Sequence, residues 1–202
     1  MSGIIAQNAA NATGLIKAAA AGGAWTLLST STASSSSDVS ITSNIDSTYP
    51  IYKFEFINIH PSADSNQFLI NFSDDGGSSY DVTKTSSVFR AYQNEAGNDT
   101  AFGYSTTNDL AQGTGIQKLA TSLGADNDHT TQGSLWLFNP SSTTFVKHFI
   151  CRITTNSSDD EIMDFFVAGY CNTTSAVNAA QFSMSSGNID AGTIKLYGLG
   201  DS

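Results

Sequence analysis

Charged residues are scarce in this chain. They make up 13% of its 202 residues, whereas an average soluble domain carries about 25%. Only 8 residues are basic and 18 are acidic, so the formal net charge at pH 7 is −10. Without a basic stripe, the chain cannot displace counterions from phosphates, and we expect no binding to nucleic acid. The acidity also disfavours anionic membranes and instead favours solubility.

Cysteine is nearly absent, with Cys151 and Cys171 as the two examples. Each lies in an apolar stretch that alternates as a strand does. The pattern predicts two buried free thiols that behave as small hydrophobic side chains. A disulfide between neighbouring strands stays open as an alternative, because sequence alone cannot place the two sulfur atoms.

Long apolar runs are also missing. None approaches the roughly 20 residues that span a bilayer as a helix, so we expect no membrane insertion. The N-terminal stretch lacks a basic region, and Gln7, Asn8, Asn11 and Lys17 interrupt any apolar segment there. It therefore does not match a secretory signal.

The sequence holds no recognised catalytic or metal-binding motif. His60, His129 and His148 are the histidines, and none has a second ligand at the spacing of H-x-H or H-E-x-x-H. The pair Asp126 and Asp128 comes nearest to a calcium site, but the D-x-D-x-D-G pattern is missing. G-x-S-x-G is absent as well. We therefore predict no enzyme, no cofactor and no metal site.

Period-two alternation is the dominant pattern that the chain does contain. In the segment IYKFEFINI, Tyr52, Phe54 and Phe56 share one face, and the apolar phase flips at Ile57 and Ile59. Such a flip predicts a β-bulge or a passage of the strand from one environment to another. Similar alternation recurs along the chain and predicts nine or ten strands, a number typical of one antiparallel β-sandwich.

The segment SDDGGSSY, from Ser73 to Tyr80, fits the pattern S-x-D-x-G-x-[ST]-[WYF]. It resembles the Asp-box of sialidases, which is a structural turn. The pattern predicts a tight hairpin in which the aspartate caps backbone N–H groups, glycine supplies a positive φ, and the aromatic residue anchors the return strand. A single copy gives no support for sialidase chemistry.

The last segment, Gln181 to Gly200, alternates on both sides of a Gly/Asn-containing turn and predicts a closing β-hairpin. It also fits F-x-x-S-S-G-x-[ILF]-x-x-G-x-[IL]-x-L-Y-G. This motif resembles the C-terminal end of β-sandwich, jelly-roll-like structural proteins of tailed bacteriophages, many of them tail or fibre proteins. The matching residues are Phe182, Ser185, Ser186, Gly187, Ile189, Gly192, Ile194, Leu196, Tyr197 and Gly198.

The resemblance implies an all-β, antiparallel, jelly-roll-like sandwich over residues 24–202 and an extended N-terminal docking arm over residues 1–23. It implies a virion structural protein made in the host bacterial cytoplasm, as a homotrimeric tail fibre or receptor-binding subunit. Implied partners are a tail adaptor or capsid protein and a host cell-surface glycan or protein. A capsid decoration protein or head fibre is the alternative within this class.

The arm is Ala-rich, with Ile4, Ile5, Leu15 and Ile16 as its large apolar residues. A segment of this kind cannot bury these side chains by itself, so we expect it to pack on another subunit or on a docking protein. A frayed terminus is the alternative.

The Gly/Thr/Asn-rich stretch over residues 94–128 is weakly periodic, with isolated strand candidates over residues 101–104 and 116–121. It predicts an extended loop or an edge excursion with an exposed binding surface, since loops on a rigid scaffold carry recognition. Its candidate contact residues are Tyr92, Phe102, Tyr104, Asp126 and Asp128. A carbohydrate-binding module would gather such aromatics on one face, and a polysaccharide-degrading enzyme would bring two carboxylates together in a cleft. Both remain alternatives of another class.

Overall fold

The structure, a computed structural model, describes residues 23–200. Over that range the regular structure is entirely β, so the predicted all-β fold is confirmed. No helix there is long and apolar enough to cross a membrane. The described residues form twelve strands rather than nine or ten: β1 (Trp25–Ser36), β2 (Asp38–Ile41), β3 (Ile51–Pro61), β4 (Asn66–Ser73), β5 (Lys84–Asn94), β6 (Thr100–Tyr104), β7 (Gln117–Leu123), β8 (Thr131–Phe138), β9 (Lys147–Asn156), β10 (Glu161–Cys171), β11 (Ala179–Met184) and β12 (Ile189–Leu199).

Two antiparallel sheets pack as a sandwich. The large sheet has eight strands in the order β1-β12-β3-β8-β9-β10-β5-β6, and the small sheet has four in the order β2-β11-β4-β7. Buried and exposed residues alternate along β9, as they do in a sheet with one face in the core and one face in water. The small sheet covers the inner face of the large one, so the outer face of the large sheet has no cover within the described chain.

The core between the sheets is rich in phenylalanine. Phe54 and Phe56 of the large sheet each contact Phe182 of the small sheet with ring centroids 5.3 Å apart, and Phe56 also meets Phe68 edge-to-face at 5.1 Å. Such aromatic pairs contribute about 0.5–1.5 kcal/mol beyond the area that they bury. The inward faces predicted from alternation in β3, β4 and β9 are confirmed.

The predicted bulge in β3 is confirmed. The pairing of β3 with β8 shifts register between Phe56 and Ile59, and Asn58 between them has a φ of 52°. The Gln132 side chain holds the bulge, because its Oε1 accepts the Asn58 N–H at 3.0 Å and its Nε2 donates to Asn58 Oδ1 at 2.6 Å. On the other side, the pairing of β12 with β3 also shifts register around Gly192.

Gly192→Ala is expected to lower the free energy of unfolding by about 2 kcal/mol, the scale of one strained backbone position. Gly192 has a φ of 126°, which L-residues rarely adopt, and an added Cβ would lie 2.7 Å from the Asn58 carbonyl oxygen. Urea unfolding of the two proteins measures the difference. The control is Gly103→Ala, where a Cβ meets nothing within 4 Å, and a wild-type midpoint for Gly192→Ala would show that the bulge tolerates a side chain.

The predicted closing hairpin is wrong, because β11 and β12 belong to different sheets. β11 pairs with β2 and β4, whereas β12 pairs with β1 and β3. The connection around Gly187 crosses from the small sheet to the large one. The alternation itself is real, since its apolar residues Phe182, Met184, Ile194 and Leu196 are all buried.

The Asp-box turn is confirmed, but not as a hairpin. Asp75 Oδ1 accepts the Ser73 hydroxyl at 2.6 Å and the Ser79 N–H at 2.9 Å. These hydrogen bonds, chiefly those from Ser73 and Ser79, hold the pKa of the Asp75 carboxyl well below its usual range. Gly76 and Gly77 have positive φ values, as predicted. The chain then crosses to the large sheet and enters β5, so β4 and β5 do not pair.

Candidate functional site

The predicted binding loop over residues 94–128 is only partly a loop. It contains β6, an edge strand of the large sheet, and β7, which belongs to the small sheet and buries Leu119 and Leu123. The strand candidates over residues 101–104 and 116–121 are confirmed as β6 and β7. The expectation of an exposed surface is wrong for β7, which is a core strand.

The predicted aromatic residues divide between two faces. Phe102 and Tyr104 lie on β6 with exposed fractions of 72% and 56%. Tyr92 pairs with Ala101, so it points to the opposite face, where it packs against the edge of the core. Only Phe102 and Tyr104 therefore lie on the exposed surface as expected.

The predicted acidic pair lies far from these aromatics. Asp126 and Asp128 are in the β7–β8 connection, and the Asp126 carbonyl oxygen lies 3.1 Å from Nε2 of His60 on β3. Five strand spacings separate β3 from β6, which is about 24 Å. The five candidate contact residues therefore do not form one site. Across residues 23–200, no cluster of His, Cys, Asp or Glu is arranged to hold a metal ion.

A continuous row of side chains crosses the outer face of the large sheet. Arg152 pairs with Phe166, Phe166 with Phe89, and Phe89 with Tyr104, on β9, β10, β5 and β6. The rings of Phe89 and Phe166 stack with centroids 4.7 Å apart and planes 7° apart. Phe102 meets Phe89 edge-on at 5.6 Å, and the Arg152 guanidinium lies 4.9 Å from the Phe166 ring centroid.

Exposed aliphatic residues extend this row on both sides. Ile150, between Trp136 and Ala168 in the sheet register, is 53% exposed, and Ile162 is 51% exposed. Most of this surface could not be recognised in the sequence. A strand with one face in water normally alternates apolar and polar residues. The outward apolar residues of β5 and β10 break that pattern. We call the following residues the outer apolar face: Phe89, Phe102, Tyr104, Trp136, Ile150, Ile162 and Phe166.

Two ion pairs lie on the outer side of the large sheet. Arg152 donates to both carboxylate oxygens of Asp164, from Nε at 3.1 Å and from Nη2 at 2.7 Å, and these bonds raise the pKa of Arg152. Lys53 binds Glu55 at 2.7 Å and lies near the rings of Trp25 and Trp136. Exposed pairs of this kind contribute little stability, about 0–1 kcal/mol each. The pair of Arg152 and Asp164 therefore adds no net charge to the outer apolar face.

The cysteines lie in the core rather than on this face. Cys151 and Cys171 are free and buried, so the free-thiol prediction is confirmed and the disulfide alternative is wrong. Burial raises the pKa of the Cys171 thiol to about 12 and that of Cys151 further still. Neither sulfur is therefore a thiolate near neutral pH, which is the form that attacks an electrophile.

A buried row of cations was not foreseen from the sequence. Lys84 and Lys147 are fully buried, and both pair across the sheet with Cys171 between them. Lys84 Nζ donates to Asn71 Oδ1 and, at 2.7 Å, to the Val82 carbonyl oxygen. Burial lowers the pKa of Lys84 to about 8. A lysine in an apolar segment gives no sequence signal that it faces inward.

The outer apolar face thus offers a flat area for contact, with aromatic rings, aliphatic side chains and neutralised charges. A partner would contact this face mainly by apolar packing, because Arg152 and Asp164 already bind each other. The acidic candidates predicted from sequence lie elsewhere, at the β7–β8 connection. No family model matches this sequence, and no curated protein matches it.

Proposed function

We propose that this chain is a structural protein of a bacteriophage virion, exposed on the particle as a tail fibre or receptor-binding subunit. The observation that carries the proposal is the uncovered outer apolar face. Monomeric soluble proteins rarely expose a continuous apolar patch beyond a few hundred Å². A subunit of a particle has neighbouring subunits that cover such a surface.

The phage-like motif supports the proposal through its place in the sandwich. It covers the second half of β11, most of β12 and the connection between them. β11 lies between β2 and β4, and β12 lies between β1 and β3. The residues that carry the resemblance therefore occupy interior strands of both sheets, where a shared fold places its strongest sequence constraints.

In this proposal residues 1–23 are the docking arm, with Ile4, Ile5, Leu15 and Ile16 as its apolar contacts. Residues 1–22 lie outside the described part of the structure. The arm joins a homotrimer to a tail adaptor or capsid protein, and the sandwich faces a host glycan or protein. A capsid decoration protein or head fibre is the second position. It is favoured because residues 23–200 form one sandwich and contain no shaft.

The test is made on particles. Mass spectrometry of gradient-purified phage should find the chain at many copies per particle, and immunogold labelling should place it on the tail or on the capsid. Deletion of residues 2–22 should remove it from particles while leaving the protein in the lysate. Finding the intact chain in the lysate but never in purified particles would overturn the proposal.

A further inference from the structure

We propose that the outer apolar face is the surface through which one copy of this chain contacts another. The inference rests on the proposed function, because a virion subunit occurs in many copies. It goes further by naming the surface and its occupant. Three features of the face point to a second copy: its charge, its area and the exposure of β6.

The charge of the chain limits which partner fits. The face carries Arg152 and Asp164, which neutralise each other, in a chain whose net charge is −10. A basic protein would find the Asp164 carboxylate already paired with Arg152. Nucleic acid would likewise find the Arg152 guanidinium already paired with Asp164. Two acidic copies repel each other over most of their surfaces, but not across a neutral face. Charges beyond about 8 Å are largely screened at physiological salt.

The area is sufficient for a specific contact. Across the strands, the face spans the five neighbours from β8 to β6 in sheet order, at about 4.8 Å per strand. Along the strands, it spans about six residues at 3.3 Å per residue. Its flat footprint is therefore about 480 Å², and two such footprints give about 1,000 Å². That total reaches the lower bound for a specific protein–protein interface. Protruding rings such as that of Phe102 add to this buried area.

β6 gives the third argument. All five of its residues are exposed, so neither of its faces is covered by residues 23–200. It pairs with β5 on one side, and its other edge is the end of the large sheet. An exposed edge strand with apolar side chains promotes association with other chains. A second copy packed on the outer apolar face covers Phe102 and Tyr104.

The test compares the full chain with surface variants by light scattering after size exclusion. Wild type should elute at no less than twice its monomer mass of 21.2 kDa. The double variant Phe102→Glu, Ile150→Glu should elute as monomer, with at least tenfold weaker association. The control is Ile116→Glu, an equally simple change at a 46% exposed isoleucine beside the small sheet. It should keep the wild-type mass.

A second measurement does not depend on how the variants fold. Hydroxyl-radical footprinting of wild type, dilute and concentrated, should show protection of Phe89, Phe102 and Tyr104 only in the concentrated sample. A monomeric wild type at roughly 100 µM, or an oligomer whose face stays unprotected, would overturn the inference. If the chain is monomeric but is found in purified particles, the inference fails while the proposed function stands.

Discussion

Asn66→Ala is expected to lower the free energy of unfolding by about 3 kcal/mol, although no apolar contact is removed. Asn66 is fully buried at the start of β4, beside the connection that carries the chain from β11 to β12. Its Oδ1 accepts the N–H of Ser185 at 3.1 Å and the N–H of Gln67 at 2.9 Å. Its Nδ2 donates to the Ser186 carbonyl oxygen at 2.8 Å.

The size of the effect follows from what alanine would leave behind. A buried backbone donor or acceptor without a partner costs about 1–3 kcal/mol. Alanine would leave the Ser186 N–H and carbonyl oxygen without their Asn66 partner. The Ser185 N–H keeps the Gln67 carbonyl oxygen, and the Gln67 N–H keeps Ser185 Oγ. For a chain of this length, about 3 kcal/mol corresponds to a fall in Tm of roughly 6–12 °C. Thermal unfolding followed by circular dichroism measures it.

Asn94→Ala is the matched control. Asn94 Oδ1 also accepts two backbone N–H groups, from Asn98 at 3.1 Å and from Asp99 at 3.0 Å. These bonds lie in the exposed β5–β6 turn, where water replaces the lost side chain, so we expect a loss below about 1 kcal/mol. Equal losses for the two variants would show that the hydrogen bonds of Asn66 to the β11–β12 connection add no more stability than those of an exposed turn.

Only part of this fold could be read from the sequence. The strand positions could be predicted, because alternation around Phe54 or Phe149 is a local property of the chain. The β3 bulge was visible for the same reason, as a phase flip between Phe56 and Ile59. The number of strands was less certain, since β6 and β7 are short and lie among Gly and Thr residues.

Strand partners could not be predicted in the same way. The segments around Phe182 and Ile194 alternate as a hairpin does, yet each strand pairs with strands more than a hundred residues earlier in the chain. The choice between a hairpin and a crossing depends on buried hydrogen bonds such as those of Asn66. Nothing in the sequence around Asn66 marks it as buried. The outer apolar face was missed for a related reason, because Phe89 and Phe166 read as core residues.

Lys84 is the second residue whose burial the sequence conceals, and it makes stability depend on pH. Its ammonium lies in the core between the two sheets, held by Asn71 and the Val82 carbonyl. Desolvation lowers its pKa from 10.5 to about 8, against smaller opposing effects of Cys171 and Asp81. Below about pH 8 the ammonium stays charged in both states, and the folded protein bears the full cost of burying it.

Between about pH 8 and pH 10.5 the unfolded chain binds this proton and the folded chain does not, so stability must rise with pH through this window. From about pH 7 to pH 10 the contribution of Lys84 is a gain of about 2–3 kcal/mol. Cys171 acts in the opposite direction above about pH 9, because burial raises its pKa. The wild-type curve alone is therefore not diagnostic, and the comparison must be made between variants.

Lys84→Met keeps most of the length of the side chain and removes its titration. The difference in unfolding free energy, wild type minus Lys84→Met, should therefore increase by about 2–3 kcal/mol between about pH 7 and pH 10. Urea unfolding at a series of pH values measures it. Lys195→Met, on the outer face of the large sheet, corrects for the loss of one positive charge. A difference that stays flat with pH would mean that the folded protein keeps Lys84 protonated as readily as the unfolded chain does, and that water or a carboxylate reaches it in the core.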